Sequence, residues 1–184
     1  AILLSLLTCT ADAASRFQKL YGDSLDEDIV SIIRTNDGGY CLVGTTDLSD
    51  LSSSKADIAV YRTNEFGDLT TSYRIGDNFP NIATGAVLMN DGTFMICGKT
   101  FGSINDPTDW EIFVINLDDG GNILWENTYG MVGNDEPIKM MMTDDGGIVI
   151  AGATGQKSML MKIDGFGQSV WSTVIDSTPN NLGS

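Results

Sequence analysis

Asn90-Asp91-Gly92-Thr93-Phe94-Met95-Ile96-Cys97-Gly98-Lys99-Thr100 decides the fold, because the chain carries three versions of it. The first is Asn36-Asp37-Gly38-Gly39-Tyr40-Cys41-Leu42-Val43-Gly44-Thr45-Thr46, and the third is Asp144-Asp145-Gly146-Gly147-Ile148-Val149-Ile150-Ala151-Gly152-Ala153-Thr154. Asp37, Asp91 and Asp145 stand 54 residues apart at each step. A period of that size marks a repeat architecture whose units bury their cores against one another. Asp-Gly between two apolar runs predicts a hairpin, here of type I′ with φ > 0 at both central residues, so the pairs Asp37-Gly38, Asp91-Gly92 and Asp145-Gly146 are read as structural turns. Gly44, Gly98 and Gly152 share one position inside the strand that follows, which predicts a bulge or a close backbone approach.

Outward from this stretch the unit completes itself. Before the turn lie apolar runs at residues 29–34, 83–89 and 138–142, which read as strands covered on both faces. After the conserved-length strand come loops that differ between units, at 47–56, 101–110 and 155–157, the last much shorter. A further strand follows at 57–61, 111–115 and 158–163, closed by turns ending at Gly67, Gly121 and Gly167. The last slot holds residues 17–22, 71–76, 125–130 and 171–176, each a short aromatic and β-branched run that reads as a strand. Four antiparallel strands at this period predict an all-β fold: a β-propeller segment of three four-stranded antiparallel blades, part of a larger ring. The expected organisation is a truncated signal peptide or lipobox with linker over 1–15, then propeller repeats over 16–184, with units at about 22–75, 76–129 and 130–176.

The chain has 184 residues and a net charge of −15, which disfavours nucleic acid and anionic lipid as partners. It has no histidine, which removes Ser-His-Asp and Cys-His catalysis. The apolar run at residues 1–7 is too short to span a bilayer and reads as the end of an export signal. Leu6-Leu7-Thr8-Cys9 resembles a bacterial lipobox, making Cys9 the lipidation candidate, and Ala11-Asp12-Ala13 is the alternative cleavage site. Cys41 and Cys97 sit two positions apart in the repeat, so they face the same way on consecutive units, and a disulfide between them is not expected.

These residues resemble the β-propeller repeats of exported bacterial proteins and lipoproteins, with a pattern near W-x-x-x-Y-G, an acidic loop, D-G-G-Y-x-x-x-G-x-T and D-x-W-V-V-K-L-D-x-x-G. The likeness runs from Phe17 to Asp176. It is strongest where Asp118-Asp119-Gly120-Gly121-Asn122-Ile123-Leu124-Trp125 leads into Tyr129-Gly130. Thr71, Thr93, Lys157 and Asp176 depart from it. The resemblance implies a fold and a location at the bacterial outer membrane, periplasm or cell surface, held there by a lipid anchor. It carries no catalytic residues. Leu117-Asp118, Gly121 and Trp125, with Ile163-Asp164, Gly167 and Trp171, also resemble the docking motif of quinoprotein propellers, which outer-membrane assembly propellers share without pyrroloquinoline quinone.

The expected function is a non-catalytic cell-envelope module that binds or scaffolds an unknown protein or glycan. The alternative is an exported enzyme, an acid-catalysed glycan hydrolase or a quinoprotein-like one. Loops on a rigid scaffold usually carry recognition, so the variable-loop face is expected to bind. Its candidates are Trp110, Asp106 and Asp109, with the acidic Asp26, Asp28, Asp135 and Glu136. No cofactor is expected; calcium at the acidic loops is an alternative that would need six to eight oxygens, and a quinone belongs to the quinoprotein-like alternative. The sequence carries no sign of oligomerisation.

Overall fold

The computed structural model describes residues 18–22, 26–47, 56–102, 108–131 and 133–175. Residues 1–17, with the expected lipidation candidate Cys9, residues 48–55, Asp106 and Asp176 lie outside the described residues. The strands are β1 (Glu27–Arg34), β2 (Tyr40–Thr46), β3 (Asp57–Thr63), β4 (Leu69–Ile75), β5 (Asn81–Leu88) and β6 (Phe94–Phe101). They continue with β7 (Trp110–Leu117), β8 (Ile123–Tyr129), β9 (Asp135–Met142), β10 (Ile148–Thr154), β11 (Lys157–Ile163) and β12 (Ser169–Ile175). They form three four-stranded antiparallel sheets, each a simple meander in chain order. No helix occurs among the described residues. β1 lies against β5, and β5 against β9. The first strand of each sheet is therefore its inner edge, and β4, β8 and β12 are the outer edges. This is a propeller-like segment of three blades that does not close into a ring. The expected slot at 17–22 is the exception, since residues 18–22 form no strand.

In the middle blade the continuous apolar runs follow from packing on both sides. The runs at 29–34 and 138–142 are not covered on both faces as expected, since Ile32 is 68% exposed and Ile138 and Met141 are each 62% exposed. The reason is that the end blades have a neighbour on one side only. In β6, Phe94 and Ile96 enter the seam with the first blade, while Met95 and Cys97 enter the seam with the third. β7 divides in the same way, with Phe113, Ile115 and Leu117 on one side and Ile112 and Val114 on the other. Alternation across a strand sends neighbours to opposite faces, and here both faces are core. Cys41 lies in the first seam and Cys97 in the second, so they face the same way and stay free thiols. Burial pushes Cys41 up to about 11 and Cys97 to about 12, which makes both inert at neutral pH.

The repeated strand glycines are both bulge and close approach. The ladder slips at Val30 opposite Gly44, at Thr84 opposite Gly98 and at Ile138 opposite Gly152, three positions 54 residues apart. A Cβ on any of these glycines would press into a carbonyl oxygen of the inner strand, that of Asp28, Ile82 or Glu136. The extra residue bends the inner strand toward the glycine, and only hydrogen leaves room.

The Asp-Gly hairpins form as expected, but they are not type I′. Gly38, Gly92 and Gly146 have φ of +88°, +88° and +80°, while Asp37, Asp91 and Asp145 are not left-handed. Gly92 N–H donates to the Met89 carbonyl at 3.0 Å and Met89 N–H to the Thr93 carbonyl at 2.8 Å. The loop is therefore a type I turn followed by a left-handed glycine, the three-residue hairpin. The Asp stabilises it through its side chain instead: Asp91 Oδ1 accepts from Thr93 N–H at 3.0 Å and Thr93 Oγ1 at 2.7 Å. The turns at Gly67, Gly121 and Gly167 share this design, with Asn64, Asp118 and Asp164 as the acceptors.

Asp145 shows what such a turn does to a carboxyl group. Hydrogen bonds from Lys162 and then Thr143 lower it from 3.8 to about 2. A depressed folded value means that this contribution is complete above pH 4 and is lost as pH falls through about 2. A carboxyl NMR titration should place Asp145 near 2, and Lys162→Met should move its midpoint up toward 3.8. An unmoved midpoint would show that the ion pair is not the cause.

Two kinds of side chain staple the blades. Tyr21 and Tyr129 hydroxyls donate to the Gly67 and Gly167 carbonyls at 2.7 and 2.8 Å, and the Tyr73 ring occupies the space where Gly121 would carry a Cβ. Tyr21 and Tyr129, each directly before a glycine, and Tyr73, at the repeat position of Asn127, thus reach the turn of the following blade, and Tyr21 does so without a strand around it. Arg62 crosses the first seam to the Asp119 carboxylate and carbonyl, with its guanidinium 5.4 Å from the centre of the Phe94 ring.

Candidate functional site

The two ends of the blades differ. At one end all six hairpins share the three-residue design. At the other, the connections run from Gly155-Gln156, a two-residue turn, to the longer segments between β2 and β3 and between β6 and β7. The strands that meander between these ends put every non-repeating connection on the same side of the molecule.

Trp110 is the first residue of β7, not the last of the loop, because its ladder partner Phe101 extends β6 to meet it. The two rings are 5.3 Å apart and tilted by 58°. Lys99 Nζ lies 4.9 Å from the centre of the indole and 2.6 Å from Glu136 Oε1, so the ammonium is held between a ring face and a carboxylate across the second seam. Trp110 N–H donates to Asn134 Oδ1 at 3.0 Å, and the Asn134 carbonyl accepts from Gly155 N–H at 2.8 Å. Asn134 therefore ties the β6–β7 and β10–β11 connections together. Phe101 and Trp110 form a part-exposed aromatic platform flanked by Asp109 and Glu136, an arrangement suited to stacking on an apolar face while carboxylates accept hydrogen bonds beside it.

The acidic candidates separate. Asp28, Asp135 and Glu136 lie in strands rather than loops, because the inner strands pair as far as Thr46 and Thr154. Asp135 is 0% exposed and accepts from Met131 N–H at 2.6 Å, so it is an interior residue and not a surface contact. Asp26 and Asp28 are exposed at the start of β1, in the blade on the other side of the first seam from Trp110's blade, and Asp106 lies outside the described residues. Of the expected set, Trp110, Asp109 and Glu136 come together. Lys99, Phe101 and Asn134 complete the cluster. Lys99 occupies the repeat position of Thr45 and Ala153, and that break in the repeat was the available signal.

Among the described residues no group of three or more His, Cys, Asp or Glu could hold a metal ion. In the first copy of the quinoprotein-like motif Asp118 accepts from Asn122 N–H at 2.8 Å, Gly121 turns the chain, and Trp125 covers Gly167 in the second seam. In the second copy Asp164 and Gly167 build the equivalent turn and Trp171 is exposed. Buried oxygens without a hydrogen-bond partner are Thr46 Oγ1, Thr100 Oγ1, Glu111 Oε2, Asn116 Oδ1 and Asp135 Oδ1.

The fold thus defines the class of protein: all-β, built of propeller-like blades, with its irregular features gathered at one end. No family model matches the chain, and no curated protein matches it. A solved structure of a protein of unknown function from Bacteroides caccae is similar over 81% of this chain and 68% of that one, at 11% identity and a TM-score of 0.32. A likeness at that level carries no argument.

Proposed function

We propose that the protein is a non-catalytic binding or scaffolding module of the bacterial cell envelope, related to exported propeller-repeat proteins and anchored through Cys9. The observation behind this reading is the asymmetry of its two ends: uniform hairpins on one, variable connections with a part-exposed aromatic pair on the other. Rigid strands hold Trp110 and Phe101 in place, so a glycan ring or an apolar side chain of a partner protein would meet a preformed surface. The lipobox-like Leu6-Leu7-Thr8-Cys9 supports the anchor.

Two measurements test it. The full gene expressed in a bacterium should give palmitate-labelled protein in the membrane fraction, and unlabelled protein cleaved after Ala13 would overturn the anchor. Hydrogen exchange on the complex with an envelope glycan or protein should show protection at residues 76–80, 108–110 and 133–136. Protection confined to the Asp37, Asp91 and Asp145 turns would place recognition on the other end.

A further inference from the structure

Blades that meet along their inner strands splay outward, so each seam opens into a wedge beneath its outer strands. The repeat allows the two wedges to be compared position by position. In the second seam Met131 packs against the core that holds Met159 and Met161, and the equivalent rim of β12 offers Ser172 and Val174. In the first seam the corresponding residues are Asp77, Glu126 and Thr128. They line a cleft of about 360 Å³ floored by Phe113 and Ile115. A second cavity of about 210 Å³ shares Asp77, Glu126 and Ile115 with it and reaches Ile58 and Ile75. The second seam shows that the fold needs no carboxylate at these positions.

An independent observation points to an occupant. Thr100 lines the cleft, is only 6% exposed, and its Oγ1 has no hydrogen-bond partner. Its ladder partner Glu111, 4% exposed, likewise leaves Oε2 without one. Buried polar atoms of this kind are normally satisfied, and of these two residues Thr100 is the one that lines the cleft, where its oxygen can accept from a proton donor. The Glu126 carboxylate adds a charge at the rim, and Asp77 adds another while its Oδ1 accepts from Phe79 N–H and Asn81 Nδ2. A divalent ion is disfavoured, since calcium takes six to eight oxygens and the described residues hold no group of three metal-binding side chains. A polar, acidic mouth over an apolar floor matches a group with several N–H donors on a hydrocarbon stem.

We propose that the cleft between the first and second blades binds a primary alkylammonium group, carried by a free diamine or by a lysine side chain. The ammonium sits between Asp77 and Glu126 with an N–H directed at Thr100, and the stem lies along Phe113 and Ile115. This site is separate from the Trp110 platform and stands or falls without it.

Isothermal titration of the full chain with 1,5-diaminopentane and with N-acetyl-lysine amide tests the proposal, with pentan-1-ol as the neutral control. At least one amine should bind saturably and one to one, the alcohol should not, and the tighter amine identifies the source. Asp77→Met with Glu126→Ser and Thr128→Val gives the first seam the residues of the second. It should weaken binding by about tenfold or more. Glu126→Gln alone, at an exposed position, should weaken binding in the same direction and covers the case in which the triple variant does not fold. Glu65→Gln with Asp144→Asn removes two charges from the opposite end and should leave binding intact. Failure of both amines to saturate, or an equal loss in the Glu65/Asp144 variant, would overturn the site.

Discussion

Replacing Gly98 with alanine is expected to destabilise the protein by about 3 kcal/mol, the range of an overpacked interior. The new methyl would press on the Ile82 carbonyl oxygen and come within 2.6 Å of Phe113 Cε1. Neither neighbour yields easily. Ile82 belongs to the inner strand next to the bulge at Thr84, and Phe113 is packed into the first seam. Gly92→Ala provides the contrast. Its methyl would meet nothing within 4 Å, so only the left-handed φ of +88° opposes it, at about 1 kcal/mol. A urea titration of the two variants should therefore separate them by about 2 kcal/mol, with unchanged slopes. Equal midpoints would mean that the strand glycine is tolerated by a shift of β5 and that the close approach is not a constraint.

Truncating Ile112 to alanine should cost about 4 kcal/mol. Ile112 is 0% exposed in the second seam, beside Met95 and Val114 and against Met159 of the next blade. The loss combines the transfer energy of the removed carbons with the cavity they leave, and sheet backbones fixed by ladders on both sides collapse little into it. Ile123→Ala, at an outer-strand position 46% exposed, should stay within about 0.5 kcal/mol. The seam reading also makes a claim about cooperativity. If blades stabilise one another through nearest-neighbour seams, Ile112→Ala should loosen the third blade before the first. Hydrogen exchange in β10 and β11 should then rise ahead of that in β2 and β3. Uniform acceleration throughout would show a single cooperative unit instead.

The sequence by itself determined the repeat and the strand order within a unit, because both rest on local chemistry. A breaker residue, an apolar run and a left-handed glycine act within a few residues, and their recurrence every 54 positions is visible without coordinates. The six hairpins and the bulge opposite Gly44, Gly98 and Gly152 were legible on the same grounds. The turn type was not. Asp-Gly fits both a type I′ turn and a type I turn with a left-handed glycine, and the choice depends on side-chain bonds such as Thr93 to Asp91. The surface position of Asp135 was misread for a related reason. Its place at a loop edge suggested exposure, and the paired length of β9 together with the neighbouring blade buried it.

Only the tertiary structure decided which residues meet across a seam. Lys99, Trp110 and Glu136 come from β6, β7 and β9, and their meeting depends on how two blades dock. The cleft at Asp77 and Glu126 likewise joins residues 49 positions apart, one in the connection after β4 and the other in the outer strand β8. Docking of this kind is set by the shape of whole sheet faces and the wedge between them, a non-local property that the order of residues along one strand does not carry.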